Sequence, residues 1–289
     1  MRPDVPVSRA ASRSGFTLVE LLVALVLSAV VLGAVYPVLW NNQRFLRAQA
    51  EIVGVHQTVR AVAHILAAEF RQVSAVDGDI VAMSDTSVTI KALRGFAVAC
   101  AAPVSGAVVI RNSLTFGTRG IDRERDSALV FLEGDPSSAT DDRWLHRGIA
   151  DVAAGATCED GAAGTRLALG AAGEPSALDS VTDGAPVRTF EVVTYRLYAD
   201  ASGTWWLGVR AFTGGAWSVT SPVAGPLRPR DGLALRFTDA DGNSVGSPDR
   251  VALVDIVVRG RSARPLAAPG RPAGPYEDSL VARVAPRND

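Results

Sequence analysis

From Phe16 to Trp40 the chain is apolar almost without a break. Leu21 to Val35 hold no charged residue, Ser28 is the one polar side chain among them, and a lone carboxylate, Glu20, lies near the start. As a helix this stretch is about 37 Å long, against a hydrocarbon core of about 30 Å, so it is long enough to cross a bilayer. Beyond Pro37 the pattern turns amphipathic. Phe45, Ile52, Val59, Leu66 and Val73 recur every seven residues, and Ala48, Val55 and Val62 form an adjoining stripe. Arg44, Arg47, Glu51, Arg60, Glu69 and Arg71 fall elsewhere. The spacing predicts one helix from about Phe16 to Val73, roughly 87 Å long, whose first half suits lipid and whose second half suits packing on a domain.

From Asp77 the texture changes to β-branched runs separated by Gly, Asp, Asn and Pro. Candidate strands are Ser87 to Leu93, Gly106 to Arg111, Ser127 to Glu133, Thr189 to Tyr198, Trp205 to Phe212, Leu233 to Phe237 and Arg250 to Val258. Turns at Ala199 to Gly203 and Asp239 to Asn243 suggest antiparallel neighbours. Between Asp135 and Pro186 the chain is rich in Ala, Gly, Ser and Asp and reads as long loops. The Pro/Gly-dense run Leu266 to Pro275 predicts a flexible or extended tail. The sum is an α+β chain, a long N-terminal helix packed on a β-rich antiparallel domain.

Composition adds limits. The chain has 289 residues, 48% hydrophobic and 20% charged, enough for one or two domains. It carries 29 Lys and Arg against 30 Asp and Glu; without Arg2, Arg9, Arg13 and Asp4 at the N-terminus the balance is 26 to 29, which argues against bulk nucleic-acid binding. A cleaved secretory signal needs small residues at the third and first positions before its cut. Leu32-Gly33-Ala34 fails at the first of these, so the apolar segment is expected to be retained. Arginines flank it on both sides, so charge asymmetry orients it only weakly.

Candidate chemistry is sparse. Cys100 and Cys158 match no metal-ligand spacing; they pair as a disulfide if the domain lies outside the cytoplasm, or remain buried thiols if it does not. His56 and His64 are eight apart on the helix, too far for a shared metal, and His146 reads as a loop or strand-edge residue. Asp239-x-Asp241-x-Asn243 resembles the start of a calcium loop, but an EF-hand needs an acid at the twelfth position and Arg250 stands there, so a hairpin turn is preferred. Arg259, Arg261, Arg264 and Arg271 form a basic stretch, and Trp205, Trp206 and Trp217 offer stacking faces. Tryptophans at strand spacing more often fill a core, and direct contact with nucleic acid is not expected. No nucleophile with a base, paired-acid motif or phosphate-cradling glycine loop appears, so no enzymatic activity and no cofactor beyond calcium is expected.

An acid inside a membrane-length segment needs a partner. Gly15-Phe16-Thr17-Leu18-Val19-Glu20, after a short basic leader, resembles the processing site of type IV prepilins and of type II secretion pseudopilins. The resemblance implies that a prepilin peptidase cuts after Gly15 and methylates the new N-terminal residue, Phe16. Glu20 then matches the family's acidic fifth residue, which helps align an incoming subunit. Physically, the cut places a new α-amine at the helix start, where a neighbour's Glu20 can meet it. Pro37 falls where many members carry a helix-kinking proline. The order of strands and turns from Thr189 to Arg259 is similar to the larger minor subunits of the PilW and J types. Retention of Glu20 counts against the K-type tip subunit.

So read, the chain comprises a leader 1–15, a transmembrane and assembly helix 16–40 and an amphipathic extension 41–75. A β-rich periplasmic or extracellular domain 76–265 and a flexible tail 266–289 follow. The implied function is that of a minor pilin or pseudopilin near a filament tip or in the priming complex, serving pilus biogenesis, protein secretion or DNA uptake. The alternative is a tip adhesin or DNA-binding receptor. Implied partners are the prepilin peptidase, other pilins or pseudopilins and the inner-membrane assembly platform. The implied location is a single pass through the bacterial cytoplasmic membrane with the domain outside, and a pilus or pseudopilus after assembly.

Overall fold

The computed structural model of the protein describes residues 15–101, 106–135, 137–138, 140–170, 178, 181–268 and 271–287. One helix, α1 (Leu18–Phe70), opens the chain. The strands that follow are β1 (Ile80–Met83), β2 (Ser87–Val98), β3 (Ala107–Arg111), β4 (Phe116–Gly117), β5 (Ser127–Leu132), β6 (Arg143–Thr157), β7 (Ala163–Leu169) and β8 (Pro186–Ala199). After them come β9 (Trp205–Thr213), β10 (Ala216–Trp217), β11 (Ser221–Leu227), β12 (Leu233–Thr238), β13 (Leu253–Arg261), β14 (Leu266–Ala268), β15 (Arg271–Gly274) and β16 (Glu277–Val284). The architecture is α+β, one long apolar N-terminal helix and a large antiparallel sheet. Two compact units divide between Glu51 and Ile52.

In the first unit the apolar side chains from Phe16 to Trp40 are all exposed. In the second, the helix buries Val55, Val59, Val62, Ala63, Leu66, Ala67 and Phe70, a stripe at steps of three and four. The expected stripe residue Val73 is buried too, but in the turn that follows the helix, whose last helical residue is Phe70. Close contact with the sheet needs a glycine at one point. A Cβ at Gly260 on β13 would stand 2.8 Å from Val59 Cγ1 and 2.9 Å from Val55 Cγ1.

β8 is the centre of the sheet. One edge pairs with β2 along nearly its whole length; the other pairs with β5 over Val187 to Phe190 and with β9 over Val193 to Ala199. From that second edge the sheet continues at one end of β8 through β9, β11 and β13 to β12, and at its other end through β5, β6 and β7 to β3; β16 adds to β13. Its inner face carries two cores. The first packs the helix stripe against Val88, Ile90, Val193, Leu207, Leu233 and Ile256 among others. The second, with no helix, gathers Ala97, Ile110, Val130, Ile149, Leu167 and Val187. The Cys100–Cys158 disulfide joins the end of β2 to the turn after β6.

An ion network lies between helix and sheet. Arg94, the extra residue of a bulge in β2, reaches Glu69 of α1 at 3.2 Å and Glu191 of β8 at 2.8 Å. Arg119 bridges Asp126 at 2.6 Å and Glu191 at 3.0 Å, and the Tyr195 hydroxyl donates to Glu69 at 2.8 Å. Burial pushes the Glu191 carboxyl up, but the hydrogen bond and charge of Arg94, with Arg125 and Arg119, outweigh it and hold the group below the ordinary glutamate value.

Two expectations are corrected. The stretch 135–186, expected as loops, contains β6 and β7, which pair from Ile149↔Leu169 to Thr157↔Ala163. Bulges at Ile149/Asp151 and Ala154/Ala156 break the two-residue alternation, and alanine and glycine have weak strand preference, so the pattern is invisible without the partner strand. The stretch 266–289, expected as a flexible tail, supplies the β14–β15 hairpin and then β16, which pairs with β13 from Arg261↔Glu277 to Val254↔Val284. Leu280 and Ala282 pack on the first core and Val284 is buried, an alternation that the Pro/Gly run before it had masked. β11 escaped notice because Pro222 and Pro226 lie within it.

Candidate functional site

The leader's residues 1–14 lie outside the described residues. Gly15 and Phe16 precede the helix, both exposed. A Cβ on Gly15 would meet nothing within 4 Å, and its backbone is not in the left-handed region. Neither packing nor conformation therefore asks for glycine there, and the reason for it lies with whatever recognises the site.

Glu20 sits in the first helical turn, and its carboxylate is not idle. The Thr17 backbone N–H and hydroxyl donate to Glu20 Oε2 at 2.9 and 3.1 Å, while the Glu20 N–H donates back to the Thr17 hydroxyl at 3.2 Å. This is a reciprocal capping box, which satisfies donors that a helix start leaves orphaned. Reading from the sequence missed Thr17, although the Thr-x-x-Glu spacing before an apolar run is its signature. No other acid or base lies between Phe16 and Gln43.

Pro37 lies inside the continuous helix, where its missing N–H leaves the Gly33 carbonyl without the usual donor. Tyr36 and Trp40, one turn apart, stack with centroids 6.4 Å apart near the end of the apolar stretch, the position where amphipathic rings mark a membrane boundary. One helix here is long and apolar enough to cross a membrane.

Residues 11–36 match the family model described as the prokaryotic N-terminal methylation motif. The chain carries a prepilin-type methylation motif. The motif is typical of type IV prepilins and pseudopilins, and it implies processing by a prepilin peptidase and assembly with other pilins. With the exposed apolar helix it points to an inner-membrane-anchored protein bearing a globular domain. No curated protein and no solved structure matches the chain.

The other candidates fall into structural roles in the fold. In the Asp239 turn, Asp239 Oδ1 accepts the backbone N–H groups of Asp241 and Asn243 at 3.1 and 2.8 Å, Gly242 has φ +85°, and Arg250 stands 3.8 Å from Oδ2. Its carboxylate thus closes a turn. His56 meets the Tyr276 hydroxyl at 3.0 Å, far from His64 as a co-ligand, and the described residues contain no cluster of His, Cys, Asp and Glu able to hold a metal. His146, expected in a loop or at a strand edge, lies in β6 opposite Leu129 of β5, in the part of β6 that β7 does not reach, since β7 pairs only from Ile149 onward. Arg259 donates to the Asp231 carbonyl at 2.9 Å. Arg261 is half-buried on β13 and Arg264 is exposed after it, while the Arg271 side chain lies outside the described residues. Trp205 packs on the first core, whereas Trp206 and Trp217 lie on the opposite face of the sheet.

Proposed function

We propose that the protein is a minor pilin or pseudopilin, cut after Gly15, methylated at Phe16 and assembled at low copy near a filament tip or in the priming complex. It acts by assembly and not by catalysis. The observation that carries this reading is the methylation motif running directly into an exposed apolar helix whose only charged side chain before Arg44 is Glu20. Apolar helix faces supply the packing. Glu20 sets axial register by exchanging its own capping box for a neighbour's N-terminal amine, a role a buried polar group can fill even when it adds little stability. The disulfide suits an oxidising compartment outside the cytoplasm. A domain this bulky, within 289 residues, is hard to repeat at close helical spacing, which favours a low-copy position.

The test is Glu20→Ala in cells that make the filament. Membrane fractionation and the mass of the N-terminal peptide should remain those of a cut, methylated protein, while the variant's content in sheared filaments falls severalfold. Normal incorporation would remove the role given to Glu20. An N-terminal peptide that never begins at Phe16 would sink the pilin reading itself.

A further inference from the structure

At β16 the sheet is left open along one edge. Arg259 of β13 turns its backbone toward β11 and β12: its carbonyl accepts from the Arg228 N–H and its own N–H donates to the Gly232 carbonyl, both at 2.8 Å. By the alternation of a strand, Val258 and Gly260 turn theirs toward β16, where they face Leu280 and Asp278. Ser262 keeps that phase, donating to the Tyr276 carbonyl at 2.8 Å. Glu277, Ser279, Val281 and Arg283 therefore direct their N–H and C=O groups away from the sheet, and among the described residues nothing pairs with them. All four are exposed, Val281 at 66%.

Proteins usually blunt such an edge with a bulge, a proline or a very short strand. Other strands here follow that rule: β1 has four residues and a shift at Ile80/Ala82, and β6 is interrupted by two bulges. β16 instead runs eight residues in unbroken register with β13, and the nearest prolines, Pro275 and Pro286, stand outside it at either end. The neighbouring chain is held elsewhere, Arg287 by the Val73 carbonyl and Ala268 by Arg271. On the inner face Leu280 and Ala282 pack at the rim of the first core and stay half-buried. On the outer face the edge ends in opposite charges, Glu277 at 3.4 Å from Arg228 and Arg283 at 2.6 Å from Asp255.

We infer that this edge takes up an extended segment of a different subunit as an added antiparallel strand, one with a carboxylate opposite Arg283, a cation opposite Glu277 and apolar residues opposite Leu280 and Ala282. The outward N–H and C=O groups supply the attachment, and the side chains between them set the register. The β16 strand of a second copy would match the charges, since Glu277 and Arg283 exchange places in antiparallel pairing. Yet α1 runs antiparallel to β13, with Val55 and Val59 at Gly260 and Phe70 against Phe237, whose register partner is Val254. Pairing two copies about a two-fold axis would turn their α1 helices in opposite directions, whereas subunits inserted in one membrane with one topology carry them parallel. That choice of occupant rests on the assembly reading; the open edge does not.

The test uses the full-length chain in a non-ionic detergent and a fluorescein-labelled nine-residue peptide of threonines, with glutamate second, valines third and fifth, and arginine eighth. Expected is saturable binding, read by fluorescence anisotropy. Methylating the backbone nitrogens of the peptide's fourth and sixth residues, which face the edge, should weaken binding about tenfold by removing two hydrogen bonds; methylating those of the third and fifth, which face away, should leave it intact. Ser279→Pro removes an N–H that the fold does not use, so it should abolish binding with an unchanged unfolding midpoint. Arg283→Glu should weaken binding about fivefold, and arginine in place of the peptide's glutamate should restore it. No binding, equal binding by the two methylated peptides, or wild-type binding by Ser279→Pro overturns the inference. So does a dimer of the chain itself that Ser279→Pro dissolves, which would give the edge to a second copy. The assay involves no filament, so its failure leaves the assembly reading standing.

Discussion

The units on either side of Glu51 are both rich in apolar residues, and they treat them in opposite ways. Before the division Leu25 and Val31 are 60% and 59% exposed; after it Val62 and Leu66, on the same helix, are at 0%. Helix-forming preference cannot make the difference, since both stretches form helix. In the second unit the apolar stripe has its partner within the chain, the inner face of the sheet. In the first it has none among the described residues, and a surface of that kind is stable only in contact with another apolar phase, whether lipid or neighbouring helices. The comparison teaches that one continuous helix can serve as a folding element at one end and as an assembly element at the other.

The most damaging change should act on the second unit alone. Replacing Cys100 and Cys158 by serine opens a loop of 58 residues and should cost about 4 kcal/mol. Guanidinium unfolding of the detergent-solubilised chain would register this, while its recovery in the membrane fraction stays constant. Leu25→Arg inverts that result. It should cost roughly 3.5 kcal/mol of membrane insertion and shift protein out of the membrane fraction with no change in the unfolding midpoint of the domain. If the midpoint drops, the two units are not energetically separate.

Leu66→Ala, on the buried half, should cost about 3 kcal/mol by emptying a filled site of the first core. The domain's midpoint falls and membrane recovery does not. The smallest effect concerns Glu191. Because its folded pKa is depressed, its contribution to stability is present above the unfolded value near 4.5 and is lost as pH falls through the lower folded value. Stability measured on acidification below that point should decline, and Glu191→Gln should flatten the decline. An equally steep acid limb in that variant would show that Glu191 is not its source.

Features encoded by neighbouring residues were open to reading from the sequence. The apolar run, the Gly15-Phe16 junction and Glu20 are contiguous, and the seven-residue recurrence of Val59 and Leu66 is a local period. The β-strands with dense branched residues, β3, β5, β8 and β9, announced themselves in the same way. Among the strands that did not, β6 and β7 pair with each other across a short turn, β7 also pairs with the distant β3, and β16 pairs with β13. Their own composition is too weak in β-branched residues, or too interrupted by bulges, to show a period. Thr17 is a different case, since its spacing to Glu20 was visible and its meaning was overlooked.

The sequence by itself determined where the chain is marked for processing and which segment seeks a membrane, because a peptidase and a bilayer both read short contiguous stretches. Only the tertiary structure decided that Cys100 meets Cys158, and that Phe116, Phe96, Arg188, Leu129 and His146 share one row across five strands. Strand register brings residues from across the chain into one row, and register is set by pairing between strands, which no single stretch of sequence contains.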